Sequence, residues 1–162
     1  MESREKQGNT VIRICIDGKE EENIFGTIHT SYKKEGIHFY DIVGLLTEID
    51  KITDERKFPN KMFNRRYLDK KIARTSHLHN VEDKEPDCVR NISELNQEYG
   101  KLVTVNLYVN SRKNTSLQGY MIFADTGRLE KYESELELIE VIESYNNVKD
   151  NHIKEQMVLD AI

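Results

Sequence analysis

The sequence predicts an α+β fold: an internally duplicated βββα unit whose mostly antiparallel sheet packs against two helices. Three observations predict it. Stretches such as Val103-Thr104-Val105-Asn106-Leu107-Tyr108-Val109-Asn110 alternate apolar and polar residues with the period of a half-buried strand. Two later runs carry apolar residues at helical spacing behind residues that cap helix N-termini. Sliding the 162-residue chain along itself by 93 positions superimposes residues 10–52 on 103–145 without a gap and keeps the apolar positions in step. Ile12, Ile14 and Ile16 fall on Val105, Leu107 and Val109, Phe39 on Tyr132, and Leu45, Leu46 and Ile49 on Leu138, Ile139 and Ile142.

The first unit spans 10–56. Its opening strand ends at a turn-rich link over 17–22, which feeds a second strand over 23–32, so the two form an antiparallel hairpin. Lys33-Lys34-Glu35-Gly36 is a turn, and a short extended piece then ends at Phe39. Asp41 has the side chain to cap the helix that follows, in which Ile42, Leu45, Leu46, Ile49 and Ile52 form one stripe. Pro59 limits that helix, because it lacks a backbone donor and pushes Phe58 out of the helical region.

Residues 57–101 read as a basic, polar connector with Pro86 and a short helix near 91–98. The second unit, 102–149, repeats the plan: a strand, a link at 110–115, a strand over 116–125, a turn at Asp125-Thr126-Gly127 and an extended piece ending at Tyr132. Ser134-Glu135-Leu136-Glu137 then opens a helix with capping-box spacing, the serine hydroxyl accepting from a free N–H while Glu137 reaches back. Residues 150–162 form a helical tail with Ile153, Met157 and Ala161 at four-residue spacing, suited to docking on the body or on a partner. Gly26 and Gly119 sit at equivalent strand positions, where a bulge or a close approach must compensate for the missing side chain; packing of a helix over the sheet is the expected use.

The chain reads as a single domain, 1–162. A domain of this size buries roughly 70% of its unfolded surface, so no disulfide or metal is needed to hold it. Apolar runs such as Ile42-Val43-Gly44-Leu45-Leu46 fall far short of the ~18 residues of a membrane span, so no membrane partner is expected. Residues 1–8 lack the apolar stretch of a secretory signal, which implies a cytoplasmic protein with Cys15 and Cys88 as unpaired thiols. Alanine only at 73, 124 and 161, beside abundant Lys, Asn, Ile and Glu, resembles AT-rich bacterial coding.

Charge is placed unevenly within a net of −5. Residues 51–74 hold nine basic groups against three acidic, whereas 129–162 hold nine acidic against three basic. Such runs are ordinarily solvated faces. In the basic run, however, Phe63 and Tyr67 interleave with Lys61, Arg65, Arg66, Lys70 and Lys71, the residue types that stack bases and neutralise phosphates, so an RNA or nucleotide site is the alternative functional reading.

No catalytic residue, metal site or cofactor is expected. A zinc site needs close Cys or His pairs, and His77 and His79 with Cys88 have no second pair. Neither cysteine has a local signature joining it to a histidine base, and neither phosphate-loop pattern, G-x-x-x-x-G-K-[ST] or G-x-G-x-x-G, occurs.

Asn114-Thr115-Ser116-Leu117-Gln118-Gly119 resembles the N-x-S-x-x-G string of PilZ domains, which bind cyclic di-GMP, but no two arginines stand four apart to supply the R-x-x-x-R element of that family. Gly26-Thr27-Ile28-His29 with Phe39 and Leu45-Leu46, Lys57-Phe58-Pro59-Asn60, and the stretches 114–119 and 134–139 look like a group of small uncharacterised bacterial proteins with two related sheet-helix halves. In that group a tryptophan commonly stands where this chain has Leu117. The resemblance implies no activity.

Alternation supplies the remaining site argument. If Val105, Leu107, Val109, Leu117, Met121 and Phe123 face the helices, then Tyr108, Tyr120 and Ile122 face the other way, joined there by Phe25 and His29. Two helices cover one side of such a sheet; the connector, another chain or a ligand must cover the other. Aromatic anchors on that side predict a non-enzymatic interaction module, self-associating or partner-binding.

Overall fold

The computed structural model describes residues 11–56, 61–62, 88–113 and 116–162. Strands β1 (Val11–Glu20) and β2 (Asn23–Thr30) form the first hairpin, followed by β3 (Ile37–Phe39) and helix α1 (Ile42–Arg56). A two-residue strand β4 (Lys61–Met62) and a one-turn helix α2 (Ile92–Leu95) come next, and β5 (Val103–Lys113), β6 (Ser116–Phe123), β7 (Leu129–Tyr132) and α3 (Glu135–Asp160) complete the described chain. The α+β class is as expected. The sheet runs β3-β2-β1-β5-β6-β7 with every neighbour antiparallel, and β4 adds a short parallel pairing to the end of β5.

The pairing registers repeat at one offset. β1 meets β5 with Arg13 opposite Asn106, 93 residues apart, and the ladder runs outward symmetrically through Ile12–Leu107 and Ile14–Val105. Ile16 opposite Gly26 is matched by Val109 opposite Gly119, and Gly26 opposite Phe39 by Gly119 opposite Tyr132. Even the register shift between Ile16 and Gly18 has its counterpart between Val109 and Ser111. The ladder therefore has an approximate two-fold through the Arg13–Asn106 pair.

Alternation sends Ile12, Ile14, Ile16, Val105, Leu107 and Val109 to one side of the sheet, where Leu45, Ile49 and Ile52 of α1 and Leu138 and Ile142 of α3 complete one continuous core. Each such side chain contributes roughly 1.5–3 kcal/mol by leaving water. On the helix side, polar ties cross between the halves. Lys19 donates to Asn147 of α3 at 2.9 Å, and Arg112, which occupies the equivalent position in β5, pairs with Asp54 of α1 at 2.7 Å and with Asp50 at 2.8 Å. Arg112 is buried while both carboxylates are about half exposed.

Several local expectations are refined. The links at 17–22 and 110–115 are shorter than the polar composition suggests, because a bulge after Ile16 and after Val109 lets both strands continue, to Glu20 and Lys113. The first turn closes through Glu21 in the left-handed region at φ 54. The bulges also explain the two strand glycines. A β-carbon at Gly26 or Gly119 would collide with the carbonyl of Cys15 or Tyr108, so the close approach comes from the neighbouring strand and not from a helix. Tyr132 adds a hydroxyl that donates to the Tyr108 carbonyl at 2.8 Å.

Both helix starts are capped as expected. Gly44 N–H donates to the Asp41 carboxylate at 2.6 Å, and Glu137 N–H to the Ser134 hydroxyl at 3.2 Å, although Glu137 reaches back to the N–H of Glu133 and not to that of Ser134. α3 runs unbroken from Glu135 to Asp160, so 150–162 extends that helix and is not a separate tail element.

Candidate interaction surface

Away from the helices the two halves of the sheet differ in chemistry. In the first half Arg13, 2% exposed, projects to this side. Its guanidinium donates to the Glu98 carbonyl at 2.7 Å and to the Asn106 side chain at 2.9 Å, and it lies 4.9 Å from the centroid of the Tyr99 ring. Residues 88–102 thus form a strap across the first hairpin. Val89 and Arg90 donate backbone N–H groups to the Ser31 carbonyl, Leu95 is fully buried, and Leu102 N–H returns to the Ile16 carbonyl.

Arg90 and Glu98 pair at 2.8 Å beside His29, whose Nε2 lies 3.8 Å from Glu98. Burial lowers the His29 pKa against the pull of Glu98, and the hydrogen bond from Arg90 holds the Glu98 carboxyl below its usual range. Cys15, under the same strap, is pushed by burial up to about 11. That is the opposite of what a thiolate nucleophile requires.

In the second half Asn106 stands at the equivalent of Arg13, but the positions that follow it on this side are aromatic or aliphatic. Where β1 and β2 carry Cys15, Thr27 and His29, β5 and β6 carry Tyr108, Tyr120 and Ile122. Tyr108 and Tyr120, directly paired across the strands, stack with ring centroids 4.6 Å apart and planes within 10°. Both are half-buried, and burial raises the Tyr108 pKa. Ile122 is paired with Leu129 on β7, which is 51% exposed. Tyr108, Tyr120, Ile122 and Leu129 therefore line one apolar strip.

The other sequence-selected residues do not join that strip. His29 shares the side but is engaged by the strap. Phe25 pairs with Gly18 and Tyr108 with Val11, which places them at opposite ends of β1. Of the basic candidates, Arg65, Arg66, Lys70, Lys71, Phe63 and Tyr67 lie outside the described residues, and Lys61 is described only as backbone of β4. Asn114 and Thr115, which open the PilZ-like string, are likewise outside.

Leu129, Arg13 and the strap residue Tyr99 were not singled out by the sequence. Period-two alternation from Tyr132 places Leu129 opposite the core, but a strand of four residues carries too few repeats to make that visible.

A second concavity, about 410 Å³, lies on the helix side between β7 and α3, lined by Phe123, Arg128, Val141, Tyr145 and Val148. Tyr145 stacks on Phe123 at 3.8 Å and donates to Asp125 at 2.8 Å, and Lys149 pairs with the same carboxylate. Burial alone would raise the Asp125 pKa, but the hydrogen bonds from Lys149 and Tyr145 bring it down. These polar groups are consumed by one another and hold the rim of the cleft.

Among the described residues no group of three or more His, Cys, Asp or Glu could hold a metal ion, and no helix is long and apolar enough to cross a membrane. Both cysteines are free thiols. No family model, curated protein or solved structure matches the chain.

Proposed function

We propose that the chain is a non-enzymatic protein-interaction module whose contact surface is the apolar strip of the second half, with Tyr108 and Tyr120 as anchors. The observation that carries this reading is the contrast across the two-fold. One half of the sheet side is polar and strapped by residues 88–102, and the equivalent positions of the other half carry a stacked tyrosine pair, Ile122 and Leu129. Rigid aromatic rings with polar tips make anchors at low entropic cost. The shared offset of 93 supports reading the halves as copies of one ancestral unit that diverged on this side.

The test compares the wild-type chain with Leu129→Glu, at an exposed site, and with Tyr108→Glu plus Tyr120→Glu, by light scattering and by affinity capture from cell extract, circular dichroism checking the fold. A complex present for the wild type and lost in folded Leu129→Glu is the expected result. A monomer that captures nothing, or a complex indifferent to both variants, overturns the reading.

A further inference from the structure

We propose that the edge strand β7 and helix α3 form a groove that binds an extended segment of a partner protein as an added antiparallel strand, the segment reading acidic residue, large apolar residue, apolar residue. This goes beyond the tyrosine strip, with which it shares only Leu129.

β7 ends the sheet, and no described strand lies beyond it. Phe123 N–H donates to the Arg128 carbonyl, and the register continues through Met121–Glu130 and Gly119–Tyr132. In an antiparallel ladder alternate residues turn their backbone groups to each neighbour, so the N–H and C=O of Leu129 and Lys131 point away from β6 toward the open edge. An edge of that kind is a template for another strand. Both faces beside it carry features that would read the side chains of such a strand. On the helix side the cleft of about 410 Å³ lies between β7 and α3, walled by Phe123, Val141, Tyr145 and Val148. On the other side Leu129 is 51% exposed, and Lys131 is exposed two residues along.

Alternation joins these features into one pattern. The partner residue opposite Glu130 points to the helix side and enters the cleft. Charge on the strand wall of the cleft is already neutralised, since Arg128 donates to Glu130 at 2.6 Å, and Glu140 stands exposed at the rim, so the interior suits an apolar side chain. The residues on either side of it point the other way, one beside Leu129 and one beside Lys131. Lys131 has no carboxylate partner among the described residues, so an acid there completes an ion pair that the chain itself lacks. A second copy does not supply that acid. About a two-fold normal to a continuous sheet, odd-numbered residues of β7 meet odd-numbered residues, so the registers with the largest overlap set Lys131 opposite Leu129 or opposite Lys131. Antiparallel addition lets one partner residue exchange both hydrogen bonds with Lys131 and another do so with Leu129, and it continues the sense of the six-strand path.

Fluorescence anisotropy of the full chain with short fluorescein-labelled peptides tests the groove. The peptides are threonine throughout except for a central Asp-X-Val, with X in turn Phe, Leu, Ile, Tyr or Met. At least one is expected to saturate the protein below about 1 mM. Val148→Glu, a charge in the cleft at a site 59% exposed, is expected to weaken that binding roughly tenfold or more with unchanged melting. Lys131→Glu is expected to weaken it about fivefold and to prefer the peptide with Lys in place of Asp. Methylating the backbone nitrogens of the peptide's Asp and Val should abolish binding, whereas methylating that of X should not, because only the first two donate to β7. No saturation with any X, binding indifferent to Val148→Glu, or loss on methylating X alone overturns the proposal. The tyrosine strip stands or falls on its own variants: a complex captured from extract and lost on Tyr108→Glu plus Tyr120→Glu upholds it whether or not these peptides bind.

Discussion

Replacing Asn146 by leucine should stabilise the protein. Asn146 is fully buried on the core-facing stripe of α3, one turn beyond Ile142, and neither its amide nitrogen nor its amide oxygen has a hydrogen-bond partner among the described residues. At the equivalent position of α1, Thr53 is also fully buried, but its hydroxyl donates to the Asp50 carbonyl at 2.8 Å. The threonine is satisfied by its own helix and the asparagine is not. Burying an amide without a partner costs roughly 1–3 kcal/mol on protein mutational scales.

Asn146→Leu removes that cost, keeps the branching at Cγ and adds apolar volume, part of which is offset by crowding of up to roughly 1 kcal/mol in a packed core. A net gain of about 1–2 kcal/mol follows, worth roughly 2–8 °C in Tm for a chain of this size. Urea titration followed by far-UV circular dichroism should show a higher midpoint at unchanged m-value. A loss of about 1 kcal/mol or more would refute the reasoning, since it would mean that the amide holds a structural water in solution and is satisfied there.

Two further outcomes follow from the electrostatics. Arg112 is buried and its two aspartate partners are half exposed, so removing the partners is worse than removing the arginine. Asp50→Asn plus Asp54→Asn should cost roughly 3–5 kcal/mol by stranding a buried cation, whereas Arg112→Met should cost roughly 1–2 kcal/mol because water takes up the carboxylates; equal losses in urea titrations would contradict this. His29 has a lowered pKa in the folded protein, so the unfolded chain binds its proton first as the pH falls. Stability should be flat from pH ~6.5 to ~8 and decline just below that window, before Glu98 titrates, and His29→Asn should flatten that decline; an identical slope in the variant counts against it.

The strands and capped helices were legible because each rests on local signals: period-two alternation in β1 and β5, and side-chain caps at Asp41 and Ser134. The register offset was also legible, since identical spacing of apolar positions is the same information seen twice. The bulges were legible only as one of two readings of Gly26 and Gly119, and their place along β1 and β5 was not. A bulge is a backbone event with no residue signature beyond a glycine on the partner strand, so polar Asp17 and Asn110 read as the start of a turn. The strap was hidden for another reason. Arg13 is polar in an apolar strand, and its partners, Asn96, Glu98 and Tyr99, are over 80 residues away in a stretch without periodicity. The tyrosine strip lay between these cases, with its direction given by alternation and its edge at Leu129 by tertiary pairing.

The Arg13–Asn106 ladder also bears on how the polypeptide can be divided. Each half makes its hairpin and helix from neighbouring sequence, while the six pairs from Val11–Tyr108 to Ile16–Val103 are the main seam between them. A fragment ending after β4 and a second beginning at Cys88 would each expose one bank of that seam, Ile12, Ile14 and Ile16 or Val105 and Leu107. Such fragments have the makings of a split protein that reassembles by complementation, with Arg13 able to recognise Asn106 and the strap only after the two pieces meet.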